Sequence, residues 1–294
     1  PEIGIYKREL CSSYNQLALI TKTEMNKTFH VIADEAKFTK DMLASGVTQL
    51  GKANYGEKGI YFQAFTSLTT GLERIGKLCL ILDYYILNNG KFPEEKYVKK
   101  EIGHDLEILF KKSISIISNH NISFRFSENV NEKIHLKILS ILSKFAKGDR
   151  YSNINFLVNS NFQSDPIKDW SENVDKIIFE KRVSKAKKER IRENAKLADL
   201  MIGNFTIVRH TDESRNSISD VESASYLTGM TESIIKYRQL YVLQIIRYWV
   251  EILGKLEYKA MPLGNKDVPF MSEMFAIFYN PDSYFKTRKT YEKN

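Results

Sequence analysis

Cysteine, proline, glycine and long apolar runs are all scarce in this 294-residue chain, and each scarcity removes an option. The two cysteines, Cys11 and Cys79, stand far apart and supply neither a disulfide framework nor metal-ligand spacing. Such usage fits a reducing compartment. The most apolar stretch, LCLILDYYIL, is too short to span a bilayer and is interrupted by Asp83. The first residues, PEIGIYKREL, are charged and lack the continuous apolar segment of an export signal. A soluble cytoplasmic protein without a membrane partner is the expectation. The six prolines and fourteen glycines fall between long periodic stretches, the pattern of a mostly helical protein.

Several catalytic signatures are missing as well. With five histidines and no HxxE, HxH, HExxH or clustered carboxylates, the sequence predicts no metal. It holds no P-loop, no GxGxxG after a strand and no GxSxG elbow, so P-loop hydrolysis, a Rossmann cofactor and serine-hydrolase chemistry are unsupported and no cofactor is expected.

What is present is a 43% hydrophobic chain, enough to fill a core, with 44 Lys+Arg against 36 Asp+Glu. The resulting charge of +8 and pI near 9.2 favour polyanionic partners. From Tyr61, the residues Phe65, Leu68, Leu72, Ile75, Cys79, Leu82 and Ile86 recur at helical spacing and predict one long helix. Asn88, Asn89 and Gly90 can supply its left-handed cap before Pro93. A short helix is expected over 94–100. Gly103 stops it, and helices follow on Leu106, Leu109, Phe110, Ile114 and Ile117 and on Ile134, Ile138, Ile141, Leu142 and Phe145. Asp165-Pro166 marks a soft boundary. A charged helix is expected over 167–201, strand character at FTIV (205–208), a polar loop at 211–220 and a second long helix striped by Leu227, Met230, Ile234, Tyr237, Tyr241, Ile245, Tyr248 and Ile252.

Three features follow in order: Glu73 and Lys77 four apart in GLERIGKLCLIL, His104 in GHDLEILF, and Arg150-Tyr151 in GDRYSNINFL. That order resembles the HEPN superfamily, the higher eukaryote and prokaryote nucleotide-binding helical domains, over roughly residues 59 to 160. The resemblance implies a bundle of four or five helices, and with the helical periodicity of the rest of the chain the expectation is an all-α protein: a HEPN-like helical bundle at 59–165, an N-terminal helical extension at 1–58 and a helical region at 166–294 packed on the bundle. It also implies nucleotide or RNA metabolism, toxin–antitoxin pairs or phage defence as a setting, and a homodimer or partner protein. A ligand cleft would gather Glu73, Lys77, His104, Arg150 and Tyr151.

Catalytic HEPN ribonucleases carry an arginine five to seven positions before a histidine, and none of His30, His104, His120, His135 and His210 has one. Metal-free RNA cleavage needs a proton-transfer group tunable near neutral pH and a cation for the phosphorane. His104 with Arg150 is the substitute pair that the chain offers. The plainer reading gives His104 a capping role at the helix beginning at Asp105, with Asp105 and Glu107 favourable to the helix dipole, and gives Arg150 and Tyr151 a role at a neighbouring helix end.

A separate signal lies at 181–196, KRVSKAKKERIRENAK, with eight basic and two acidic residues. Lys181, Arg182, Lys185, Lys188 and Arg192 are its candidate nucleic-acid contacts, set against an ordinary solvated helix face. Tyr237, Tyr241, Tyr248 and Trp249 could stack bases, but core or dimer interface is the commoner use of such a stripe; Arg238 and Arg247 could serve either purpose. Arg209-His210 offers adjacent polar groups that an extended backbone would point apart. The expected function is a noncatalytic nucleic-acid or nucleotide-binding module. The alternatives are a divergent metal-independent ribonuclease and a helical scaffold or dimerisation protein.

Overall fold

The computed structural model describes residues 26–99, 105–127, 130–160, 164–264 and 267–292. Cys11, Gly103 and His104 lie outside the described residues. Ten helices of five or more residues run through the described chain: α1 (Lys27–Leu50), α2 (Gly59–Leu87), α3 (Leu106–His120), α4 (Lys133–Lys147), α5 (Ser152–Leu157), α6 (Pro166–Trp170), α7 (Lys176–Arg182), α8 (Lys185–Ile202), α9 (Val221–Ala260) and α10 (Asp282–Thr287). The protein is all-α. Its described strands are a two-residue antiparallel pair, β1 (His210–Thr211) and β2 (Ser217–Ile218), at and within the segment expected as a polar loop at 211–220; FTIV forms no strand.

Local chemistry accounts for most of the boundaries. Asn26, Asp105, Asp165, Ser184 and Asp220 each accept a backbone N–H of the first turn they precede, at α1, α3, α6, α8 and α9. Asp165 is followed by Pro166, whose missing N–H costs nothing in a first turn. At the end of α2 the chain turns through Asn89 (φ 50°) and Gly90 (φ 82°), the left-handed cap anticipated there. The charged stretch expected as one helix is instead three pieces. α6 runs through a π turn at Ser171–Asp175 into α7, and Val183 then adopts an extended backbone before Ser184 starts α8.

α1 and α2 pack antiparallel, with Gly46 against Leu68 and Gly71 against Leu43. A Cβ on Gly46 would lie 2.9 Å from the backbone nitrogen of Leu68, and one on Gly71 would lie 3.1 Å from that of Leu43. The two glycines set the helix spacing. Gly46→Ala should therefore cost about 1–3 kcal/mol of stability through overpacking, read from urea denaturation, although alanine is the better helix former.

α9 spans 40 residues. Its first half pairs with α8, while most of its second half is buried among α1, α2, α3 and the C-terminal segment, with Lys255, Tyr258 and Lys259 exposed. One continuous apolar core thus joins residues of all three segments distinguished in the sequence. A buried ion pair sits at mid-helix: Arg238 meets Asp175 through Nε at 2.9 Å and Nη2 at 2.6 Å, and also donates to the carbonyls of Leu50 and Ala53 and to Tyr61 Oη. Trp170 Nε1 donates to the same carboxylate at 3.0 Å. The network ties α1, α2, α6 and the π turn to α9.

Candidate functional site

The sequence features that resemble HEPN domains fall as follows. Glu73 and Lys77 form a 2.7 Å ion pair on α2, both half-buried. Asp105 caps α3, accepts from Ser143 Oγ at 2.9 Å and pairs with Lys147, so α3 starts against the last turns of α4. Burial alone would raise the Asp105 pKa, but Lys147, Ser143 and two backbone N–H groups hold it below the ordinary carboxylate value. One turn into α3, Leu109 lies against Gly76, beside Lys77. Arg150, three residues beyond Lys147, is exposed and donates to Ala146 O of its own chain turn; Tyr151 is exposed. The cap of α3 is Asp105 itself. Arg209 and His210 are both exposed, and His210 meets the Tyr55 ring edge-on.

A large concave feature lies elsewhere, at the break between α7 and α8. It is a groove of about 990 Å³ bounded by the end of α1, the α7–α8 corner, the middle of α9 and the segment from Lys286 to Thr290. Seven basic residues line it: Lys52, Arg182, Lys187, Lys236, Lys286, Arg288 and Lys289. Glu232 is the one acidic lining residue, and the lining holds no histidine or cysteine. No described carboxylate pairs with Lys52, Lys187, Lys286 or Lys289.

The groove is held in shape from behind. Arg182 Nε donates to Tyr241 Oη at 2.7 Å with its guanidinium over the same ring. Arg288 donates to Tyr284 Oη and Thr290 O, 5.8 Å from the Tyr284 and Tyr291 ring centres. Gln239 Nε2 donates to Val47 O and to Lys289 O, and Tyr291 N donates to Thr48 Oγ1, so the C-terminal segment is fastened across the end of α1. Groups fixed this way lose little further freedom when a ligand arrives.

The five basic residues singled out in the sequence separate here. Arg182 lines the groove, Lys181 lines a smaller neighbouring cavity that shares Arg182, and Lys185 is exposed in the first turn of α8. Lys188 is largely buried: it pairs with Glu180 at 2.6 Å, donates to Glu180 O and covers the Phe179 ring. It works as a clamp between α7 and α8. Arg192 pairs with Glu189 on the exposed side of α8. Sequence reasoning missed Lys52, Lys236, Lys286, Arg288 and Lys289, whose one shared signal is basic character at positions far apart in the chain. Tyr237 lines the groove, whereas Tyr248 and Trp249 are core, as are Arg238 and Arg247.

Behind Tyr241, His135 Nε2 lies 2.9 Å from Gln244 Oε1, and among the described residues its Nδ1 has no hydrogen-bond partner. Burial pushes its pKa below the ordinary 6.5 despite the Gln244 contact. The unfolded chain therefore takes up this proton first, and stability falls as pH drops below about 6.5 until the folded imidazole also protonates. Urea midpoints of His135→Asn should show a shallower decline between about pH 7 and 5 than those of the unaltered chain.

Among the described residues no three His, Cys, Asp or Glu side chains gather as metal ligands, and no helix is long and apolar enough to cross a membrane. No protein family, curated protein or solved structure matches this chain.

Proposed function

We propose that the protein is a noncatalytic nucleic-acid-binding module that grips a phosphate backbone in the groove between the α7–α8 corner and the C-terminal segment. The observation that carries this reading is the lining of seven basic residues against one acid. Lys52, Lys187, Lys286 and Lys289, with no described carboxylate partner, can attract phosphates and release their condensed counterions. Catalysis has no support at the groove, since proton transfer near neutral pH calls for histidine or a retuned acid, and the lining holds neither a histidine nor a pair of carboxylates. The likeness to HEPN domains favours RNA as the strand and phage defence or a toxin–antitoxin pair as the setting.

Fluorescence anisotropy with labelled single-stranded RNA and DNA tests the reading. Binding should weaken steeply between about 50 and 200 mM salt, and four phosphate contacts correspond to a slope of roughly −3 in log K against log salt. A chain that binds neither strand at the lower salt is not a nucleic-acid-binding protein.

A second reading, a helical scaffold or dimer, draws on one observation. Leu197, Leu200, Met201, Phe205 and Ile207, at the end of α8 and just beyond, are each more than half exposed. Light scattering across a concentration series tests it, and a monomer throughout argues against a homodimer. The ribonuclease alternative, with His104 and Arg150 as its pair, is tested by RNA cleavage in EDTA: cleavage lost in a folded His104→Ala variant supports it, and intact RNA rejects it.

A further inference from the structure

Two glutamates on the buried half of α9 hold the rims of a second cleft. Glu251 accepts from the backbone N–H groups of Arg125 at 2.5 Å and Phe126 at 3.2 Å and from Ser127 Oγ at 2.6 Å. Glu257 accepts from the N–H groups of Met271 at 2.8 Å and Ser272 at 2.9 Å. Each fastens one loop to the helix. Between the loops, over Val250 and Gly254, lies a concave space of about 570 Å³ that shares no lining residue with the basic groove. Its volume is within the range of about 300–1,000 Å³ typical of small-molecule sites.

Gly254 is the informative residue. Glycine is a poor choice inside a long helix, second only to proline, and needs a reason there. Gly46 and Gly71 have one, because the facing leucine, Leu68 or Leu43, brings its side chain and backbone nitrogen to within about 3 Å of where a Cβ would lie. At Gly254 an added Cβ would meet only Ser272 Cβ, at 3.8 Å, which is ordinary contact. Packing does not require this glycine. What its missing side chain preserves is the open floor of the cleft.

The walls define what would fit. Tyr258 and Tyr279 present exposed rings, and the Phe124 ring is backed by Tyr248 in a stacked arrangement at 5.2 Å. Arg125 and Lys255 stand on the loop and helix sides without a described carboxylate partner, while Glu273 stands on the opposite loop. The Glu251 carboxylate is taken up by its three donors. A ring between aromatic walls gains apolar burial and edge or face contacts, and the cationic side chains of Arg125 and Lys255 in the lining favour an anionic group, whereas a polyanion would also meet Glu273.

We propose that this cleft binds a small planar aromatic monoanion, with its ring against Tyr258 and Tyr279 and its acidic group toward Arg125 and Lys255. Calorimetry with naphthalene-2-carboxylate tests this on the full chain, with naphthalene-2-carboxamide and cyclohexanecarboxylate as the uncharged and nonplanar comparators. The aromatic carboxylate should bind about tenfold or more tightly than either comparator, the value of one charge-assisted contact or one stacked ring. Gly254→Leu should abolish saturable binding in a protein with an unchanged circular dichroism spectrum, and Lys255→Ala, on the surface, should weaken it about tenfold. Gly254→Ala should raise the melting temperature. The proposal is overturned by equal binding of all three compounds, by no binding at millimolar ligand, by binding unchanged in Gly254→Leu, or by a melting temperature lowered in Gly254→Ala.

Discussion

Asp175→Ala is expected to lower the unfolding free energy by roughly 3–5 kcal/mol, because it leaves the Arg238 guanidinium buried without its counter-charge. Arg238 is 0% exposed and Asp175 is 3% exposed, so water cannot replace the lost carboxylate at either end. Two carbonyls and a tyrosine hydroxyl would still accept from the arginine, which puts the loss nearer the lower figure. For a chain of this size that corresponds to a melting temperature lower by about 5–8 °C. The companion result separates pairing from shape. A double variant, Asp175→Leu with Arg238→Met, removes both charges, keeps apolar volume and should be less destabilised than the single change. Equal loss in the single and double variants would show that the fold needs the hydrogen-bonded geometry itself, since Arg238 and Trp170 also position α1, α2 and the π turn.

Charge reversal at two groove lysines, Lys187→Glu with Lys289→Glu, should reduce nucleic-acid affinity on the order of a hundredfold and flatten its salt dependence. Both side chains are exposed, and neither pairs with a described carboxylate, so folding stability should hardly change. Arg192→Glu is the control. Arg192 belongs to the same basic run but pairs with Glu189 on the outer face of α8, away from the groove. A groove predicts an effect of less than about threefold for Arg192→Glu, whereas a phosphate track along the whole face of α8 predicts losses of similar size for both variants. Anisotropy titrations at one fixed salt concentration decide between them.

Much of the helical skeleton is legible in the sequence. The stripe from Tyr61 to Ile86 yields α2, Asp105 and Asp165-Pro166 announce two helix starts, and Asn89 and Gly90 supply a stop. These signals are local, since apolar periodicity and capping involve residues within a turn or two of each other. The break at Val183–Ser184 was written there as well, in a serine ahead of a polar helical run, but the surrounding charges all favour helix and mask a one-residue extended kink. FTIV shows the opposite error. Its β-branched residues favour a strand, yet a strand needs a partner edge, and that decision is tertiary.

Composition and periodicity by themselves determine an all-α protein with a substantial core, an excess of positive charge and a basic run in its C-terminal half. They do so because helix formation and net charge depend on near neighbours and on simple counting. Only the tertiary structure decides which charges act together. Lys52 and Lys289 reach one groove because α1 packs beside α9 and Gln239 pins the C-terminal segment to both. Lys188, in the middle of the basic run, is withdrawn into an ion pair. Arg238 and Arg247 are drawn into the core against the usual preference of arginine for the surface. Surface and burial are set by which helix faces meet, and no spacing along a single helix encodes that.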